Sequence, residues 1–329
     1  MASPFPKSSS RPGHGRIVAK LLPDGATGLE TTEYQYPLKL IAPKPAPHHR
    51  SASVFLLSYG GGLVGGDQVN LTIDVCSNAK LSLVTQGHTK VFKSASPDIV
   101  TRQNLTISVQ DGASICLLPD PVQPFRDSVY EQVQAFTVAE TGSVCLLDWV
   151  TQGRSARGEN WSFVKWHGRN EIWQASKSEG DKGRLLVRDA VKLNGRDQLL
   201  TDRPLKDVMH QQAVFGTLIL RGDLVSSLAG FFLSEFAALP RLGARGFKST
   251  NAKGSENTPE SELESWRAGR LAMEKEEGIL WCAASVRGCV IVKFGAATVE
   301  GGRRWIGSMI IKEGSIAANF GDEALFCVR

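Results

Sequence analysis

No stretch of this chain approaches the roughly 18 consecutive apolar residues that a membrane-spanning helix requires, so nothing in it reads as a transmembrane segment. The first residues also lack the apolar core of a secretory signal. Basic residues are scattered and nowhere form a run of four, although the net charge is +5. A nucleic-acid footprint needs clustering on one face or along one helix, so no nucleic-acid partner is expected. The six cysteines include no C-x-x-C pair, which excludes the usual thiolate zinc box and any tight metal site built on it. The six histidines are dispersed, and neither G-x-S-x-G nor H-E-x-x-H occurs. The familiar signatures of nucleophilic and zinc-dependent catalysis are therefore missing, and no catalytic residue is assigned.

What is present is an ordinary globular composition of 42% hydrophobic and 22% charged residues over 329 positions. Cys116 and Cys145 sit inside apolar runs and read as buried, reduced thiols. That usage fits a reducing compartment, and a cytoplasmic location is expected. Residues 1–15 are rich in Ser, Pro and Gly and read as a disordered tail. Residues 16–329 read as a single β-rich domain, with a polar, low-complexity insertion at about 246–262 expected to be disordered.

From Val54 to about Trp173 nearly every segment is a short strand, a turn and another short strand. Within it Asn70-Leu71-Thr72-Ile73-Asp74-Val75 is echoed by Asn104-Leu105-Thr106-Ile107-Ser108-Val109, 34 residues later. The partners Ala79 to Leu83 and Ala113 to Leu117 keep the same offset, and a looser copy begins at Ala135-Phe136-Thr137-Val138. Two-strand units that cannot bury a face alone stack on one another. The expected fold is mainly β, a β-helix or solenoid-like stack, although any β-sandwich gives similar spacing. The second strands end at Thr85-Gln86, Pro119-Asp120 and Asp148-Trp149. In a stack these ends would line one edge and bring polar groups from separate layers together. Helical spacing of apolar residues over 223–239 and a charged stretch over 260–277 predict helices in the C-terminal half. Strands resume at 278–283 and 289–294.

The stretch Gly60-Gly61-Gly62-Leu63-Val64-Gly65-Gly66-Asp67 follows one strand and precedes another. A phosphate loop would need a GK[ST] ending or a following helix. A sharp bend where two backbones approach closely is the better physical reading. Carboxylates recur beside turns at Asp67, Asp120, Asp127, Asp148, Glu159 and Asp189. Such acids commonly make local turn hydrogen bonds. Oxygen ligands with an occasional imidazole, such as His88, also suit weak and exchangeable binding of a divalent ion.

The string GGGLVGGD resembles one family closely, and four further segments resemble it in the same order. These are Thr85-Gln86-Gly87-His88-Thr89-Lys90-Val91-Phe92-Lys93-Ser94, Leu118-Pro119-Asp120-Pro121-Val122-Gln123-Pro124-Phe125 with Tyr130 and Gln132 after it, Asp148 to Glu159 with its Gly153-Arg154 and Arg157-Gly158-Glu159, and Arg184 to Asp189. The chain resembles the urease accessory proteins of the D type, called H in some bacteria. His88 stands where that family carries a small residue, and the extra length points to a eukaryotic, fungal-like member. The resemblance implies a β-helix-like scaffold without enzymatic activity that helps load urease with nickel. It implies apo-urease and accessory protein F as partners, with the nickel-carrying GTPase, accessory protein G, recruited through F. No tightly bound cofactor is expected, only transient nickel(II). The acids Asp67, Asp120, Asp148 and Glu159, with His88, are expected along a nickel route. Gly60, Gly61, Gly62, Gly65, Gly66, Thr85, Gln86, Lys90, Tyr130, Arg154 and Arg157 are expected to shape the scaffold or a partner contact. Two other classes compete: a generic β-solenoid module that binds protein or carbohydrate, and a hydrolase using a carboxylate pair.

Overall fold

The computed structural model describes residues 11–44, 49–176, 183–195, 203–239 and 262–329. Residues 1–10 of the expected 1–15 tail and 246–261 of the expected 246–262 insertion lie outside the described residues, and Glu262 opens a helix. His14 and Gly15, assigned to the tail by composition, open the first strand because their backbone pairs with β-structure on both sides.

A hairpin of β1 (His14–Leu21) and β2 (Thr27–Tyr34) starts a first sheet, and β3 (Leu38–Ile41) with β4 (Ala52–Ser58) starts a second. The chain then alternates between the two. β5 (Gln68–Val75) joins the first sheet and β6 (Lys80–Val84) the second, followed by short β7 (Thr89–Val91). β8 (Thr101–Val109) and β9 (Ser114–Leu117) repeat the alternation, then short β10 (Val122–Pro124), then β11 (Val129–Val138) and β12 (Ser143–Thr151). β13 (Lys165–Gln174) and β14 (Arg184–Asn194) complete the first sheet. A helical turn α1 (Leu205–Val208) precedes β15 (Val214–Arg221), and α2 (Ser226–Ala237) and α3 (Glu262–Glu276) follow. A final hairpin of β16 (Leu280–Val286) and β17 (Cys289–Ala296) leads into α4 (Val299–Glu313) and α5 (Ser315–Phe320).

The 34-residue echo is the strand register itself. Asn70 lies opposite Asn104, Ile73 opposite Ile107 and Leu83 opposite Leu117 in parallel pairs. The two asparagines hydrogen-bond at 3.0 Å, Asn104 Nδ2 donating to Asn70 Oδ1. Identical residues recur because each layer must present the same side chain to the same neighbour.

The stack does not extend into a solenoid, and this corrects the expectation. β2 and β14 pair antiparallel in the first sheet, as do β3, β15, β17 and β16 in the second, so both sheets are mixed. The repeat stops after the third unit, and hairpins take over. The β16–β17 turn places Arg287 and Gly288 at φ 49° and 77°, the geometry a tight two-residue hairpin demands.

The second sheet is covered on both faces, by the first sheet on one side and by helices on the other. β12 shows this most clearly, since all nine of its residues are buried. Val144, Leu146 and Val150 enter the core between the sheets, while Cys145, Leu147 and Trp149 enter the core under the helices. Strict alternation of side chains puts Asp148 on the inter-sheet face.

Candidate functional site

Two rows of polar side chains face each other across the otherwise apolar space between the sheets. On the first sheet Gln134, Asn170 and Asp189 are successive cross-strand partners on β11, β13 and β14. On the second, Asp148, Thr217 and Lys293 are successive partners on β12, β15 and β17. Neighbours in register share a face, so the strand pairing alone lines up each row.

Hydrogen bonds join the rows. Gln132 Nε2 donates to Asp148 Oδ1 at 2.9 Å and Asn170 Nδ2 to Asp148 Oδ2 at 2.7 Å. Gln134 Nε2 donates to Asn170 Oδ1 at 3.0 Å, and Tyr130 Oη to Gln132 Oε1 at 3.0 Å. Lys293 Nζ donates to Asp189 Oδ1 at 2.6 Å and to Thr217 Oγ1 at 3.3 Å. Asp189 Oδ2 is buried with no hydrogen-bond partner among the described residues. The seam therefore carries two carboxylates and one ammonium. Asp148 is only 7% exposed, and burial pushes its pKa up, with Asp189 adding repulsion against the amide donors and Lys293. Burial likewise raises the Tyr130 phenol, which stays a donor.

A cavity of about 30 Å³ continues from Asp148, Gln132 and Gln134 past Gln103 to Thr85, Thr89 and Asp120, room for about one water. At its far end Asp120 accepts from Thr85 Oγ1 at 3.1 Å and Gly87 N at 2.9 Å, and pairs with Arg303 at 2.8 Å. His88 stands beside Asp120, and burial lowers its pKa, so its imidazole is neutral at neutral pH. Burial pushes the nearby Cys327 thiol up to about 11, which leaves it a hydrogen-bonding thiol rather than a thiolate ligand. Among the described residues no three His, Cys, Asp or Glu side chains converge as a metal cage.

The comparisons with known proteins decide the family. The profile described as UreD urease accessory protein matches residues 12–318. A protein of Schizosaccharomyces pombe described as an uncharacterized urease accessory protein ureD-like is 33% identical over 83% of this chain and 84% of its own length. The chain belongs to the UreD family of urease accessory proteins. The urease accessory protein UreD of Sorangium cellulosum is 37% identical over 69% of this chain and 67% of its own length. Urease accessory protein 4 of Cryptococcus neoformans is 28% identical over 87% and 86%.

Four of the UreD motif segments stack at one end of the sandwich, while Arg184 to Asp189 lies on β14 at the edge of the first sheet. Leu63 bridges Val91, β7 pairs with β10, and β10 pairs with β12. The second-strand ends meet as expected: Thr85 bonds Asp120, and Trp149 Nε1 donates to the Pro119 carbonyl at 2.8 Å. The glycine-rich stretch is a close backbone approach. A Cβ on Gly62 would lie 2.8 Å from Phe92 Cε2 and 2.9 Å from the Lys90 carbonyl, and one on Gly65 3.0 Å from Ser94 Cα. Gly60, Gly61 and Gly66 occupy the left-handed region instead.

The expected acids divide. Asp120 and Asp148 line one cavity, with His88 beside it. Asp67 closes its own turn, accepting from Val64 N at 2.8 Å. Glu159 is buried against Arg154, whose backbone N–H donates at 2.9 Å and whose Nε donates at 3.1 Å. Burial alone would raise the Glu159 pKa, but those donors outweigh it and hold it low. Neither Asp67 nor Glu159 is brought to the seam, because each is consumed locally by a turn or an ion pair. Gln86, Lys90 and Arg157 are exposed at the same end. The sequence reading had no place for Asn170, Thr217, Lys293, Gln103 or Gln134 in the site.

Proposed function

We infer that the chain acts in urease maturation, the role its family membership supports. We propose that the chain is a non-catalytic scaffold that binds apo-urease and the other accessory proteins, and that nickel(II) passes through it along the inter-sheet seam. The observation that carries this reading is the pair of facing polar rows with two carboxylates against a single ammonium. Polar side chains are costly between two sheets, and an apolar core would be cheaper. A net negative seam with amide and hydroxyl oxygens suits a cation that must be passed on rather than captured. Oxygen donors hold a borderline divalent ion weakly, whereas a closed thiolate cage would retain it. The cavity at Asp148 is too small for an ion with its full water shell. Nickel moving there exchanges waters for the oxygens of Asp120, Gln132 and Asp148.

The test uses cells that make apo-urease and the other accessory proteins but lack the D-type protein. The intact chain restores urease activity and urease nickel content. Asp148→Asn lowers both at least about tenfold while the variant stays folded, whereas Asp67→Ala lowers activation only as far as it lowers the amount of folded protein. Full activation by Asp148→Asn removes the seam from the route.

A further inference from the structure

At the end where the motif segments stack, a concavity of about 660 Å³ opens to solvent. Its floor is Phe92 and Phe125, packed edge to face with centroids 5.3 Å apart. The Arg154 guanidinium lies 3.8 Å from the Phe125 centroid and is tied to buried Glu159. Three other cations rim the concavity, Lys93, Arg126 and Arg157, all exposed. None of their side chains has a carboxylate partner among the described residues, while Asp127 is the one exposed acid in the lining.

We propose that this concavity docks an acidic segment of a partner protein that carries an apolar anchor side chain. The inference stands on this face alone and does not need the seam to carry nickel. Surface cations ordinarily mix with acids, so three unpaired cationic side chains around one aromatic floor are a field that attracts negative charge. The cations come from three successive layers: Lys93 follows β7, Arg126 follows β10, and Arg157 follows β12. Adjacent strands lie about 4.8 Å apart, so the backbones that carry the three cations span roughly two such spacings. Carboxylates spaced along an extended peptide match that spread of cations. The exposed part of the aromatic floor gives such a peptide a desolvated anchor point, the kind of contact that dominates affinity. The rim charges set encounter rate and register.

The probe is a fluorescein-labelled peptide of glutamates flanking one phenylalanine, titrated against the full chain by fluorescence anisotropy. Binding weakens as salt rises, because exposed charges are screened over about 8–10 Å. Lys93→Glu combined with Arg157→Glu weakens it at least about tenfold, corresponding to about 1.4 kcal/mol or more. Phe92→Ser weakens it severalfold, while Lys275→Glu on the helical layer leaves it unchanged. Neutralisation to Gln at positions 93 and 157 gives an intermediate loss, and unchanged thermal unfolding shows that the variants are folded. Equal affinity in the charge-reversed chain overturns the proposal. So does equal binding of a peptide without phenylalanine, or displacement of the probe by inorganic phosphate at the peptide's own concentration. Peptide binding with no urease activation would count against the scaffold reading and leave this inference standing; the converse result would do the opposite.

Discussion

The two faces of the second sheet bury charge in different ways. On the helical side Glu235 receives Arg267 and Arg270, with Arg267 Nε at 3.0 Å and Arg270 at 3.3 Å. Glu274 receives Arg270 at 2.5 Å, Trp281 Nε1 at 3.0 Å and Trp305 Nε1 at 2.9 Å. Two acids meet two arginines beside the Phe232, Trp281, Trp305 and Phe294 rings, with Arg267 partly exposed and Arg270 Nε buried without a hydrogen-bond partner among the described residues. On the opposite face Lys293 is the one cation that meets Asp148 and Asp189 among the described residues, and there Asp189 Oδ2 has no hydrogen-bond partner. Balanced charge beside the aromatic cluster pins α2 and α3 to the sheet and leaves no surplus negative charge to attract a further cation. The unbalanced seam costs stability that a purely structural core would not give up. The difference separates a device that holds the fold from one fitted to a passing cation.

Breaking the balanced side has the largest effect. Glu274→Leu takes one of the two carboxylates from Arg270, leaving it only Glu235, and leaves two indole N–H groups without their acceptor in a dry environment. Removing one partner of a buried ion pair costs about 3–5 kcal/mol, so chemical denaturation of the variant should show a loss of that size. Urease activation should fall only in step with the folded fraction. Lys293→Met is the corresponding break in the seam. Lys293 is 33% exposed, so solvent offsets part of the loss, and a cost of about 2 kcal/mol is expected at neutral pH. Lys293 helps hold the Asp148 pKa down. Without it that pKa rises further, so the penalty should shrink as pH falls and Asp148 protonates. An undiminished penalty at low pH would show that the ammonium acts through packing alone.

Much of this contrast was legible in strand patterns and little of it in the residues that matter most. The echo between Asn70 and Asn104 announced parallel register, because identical layers need identical neighbours. The meeting of Thr85 with Asp120 followed from the same stacking. The antiparallel outer strands carry no echo, so the change from stack to mixed sheets was hidden. α4 was hidden for another reason. Gly301, Gly302 and Gly307 lower its intrinsic helix preference, yet a Cβ at Gly307 would lie 1.8 Å from the Val328 carbonyl. Tertiary approach, not propensity, selects that sequence. The seam residues Asn170, Thr217 and Lys293 sit on three strands far apart in the chain, and only pairing brings them together. Parity did hold a clue. Gln132 and Gln134 share the inward parity of Tyr130, Phe136 and Val138 on β11, and Lys293 interrupts the apolar run Val290-Ile291-Val292.

The smallest change in stability should come from Asp148→Asn, and it sharpens the comparison most. The substitution keeps the shape and removes the charge. One of the two amide donors now meets an amide rather than a carboxylate, and Gln132 can turn its amide because Tyr130 Oη lies at its other end. A net change within about 1 kcal/mol is expected at low pH, the scale of one exchanged hydrogen bond. The pH dependence carries the information. Because the folded-state pKa of Asp148 is raised, by burial first and then by Asp189, the folded chain binds more protons there than the unfolded chain. The stability this contributes is present below the ordinary carboxylate pKa of about 4 and is lost as pH rises through the raised value. The amide that replaces the carboxyl group does not titrate and suffers no such loss. Unfolding followed from about pH 4 to about pH 7 should therefore show the variant gaining on the intact chain as pH increases, with Asp189 and Lys293 present in both. A constant difference across that range would mean that Asp148 is solvated well enough to ionise without penalty, and the seam would then resemble the charge-balanced side.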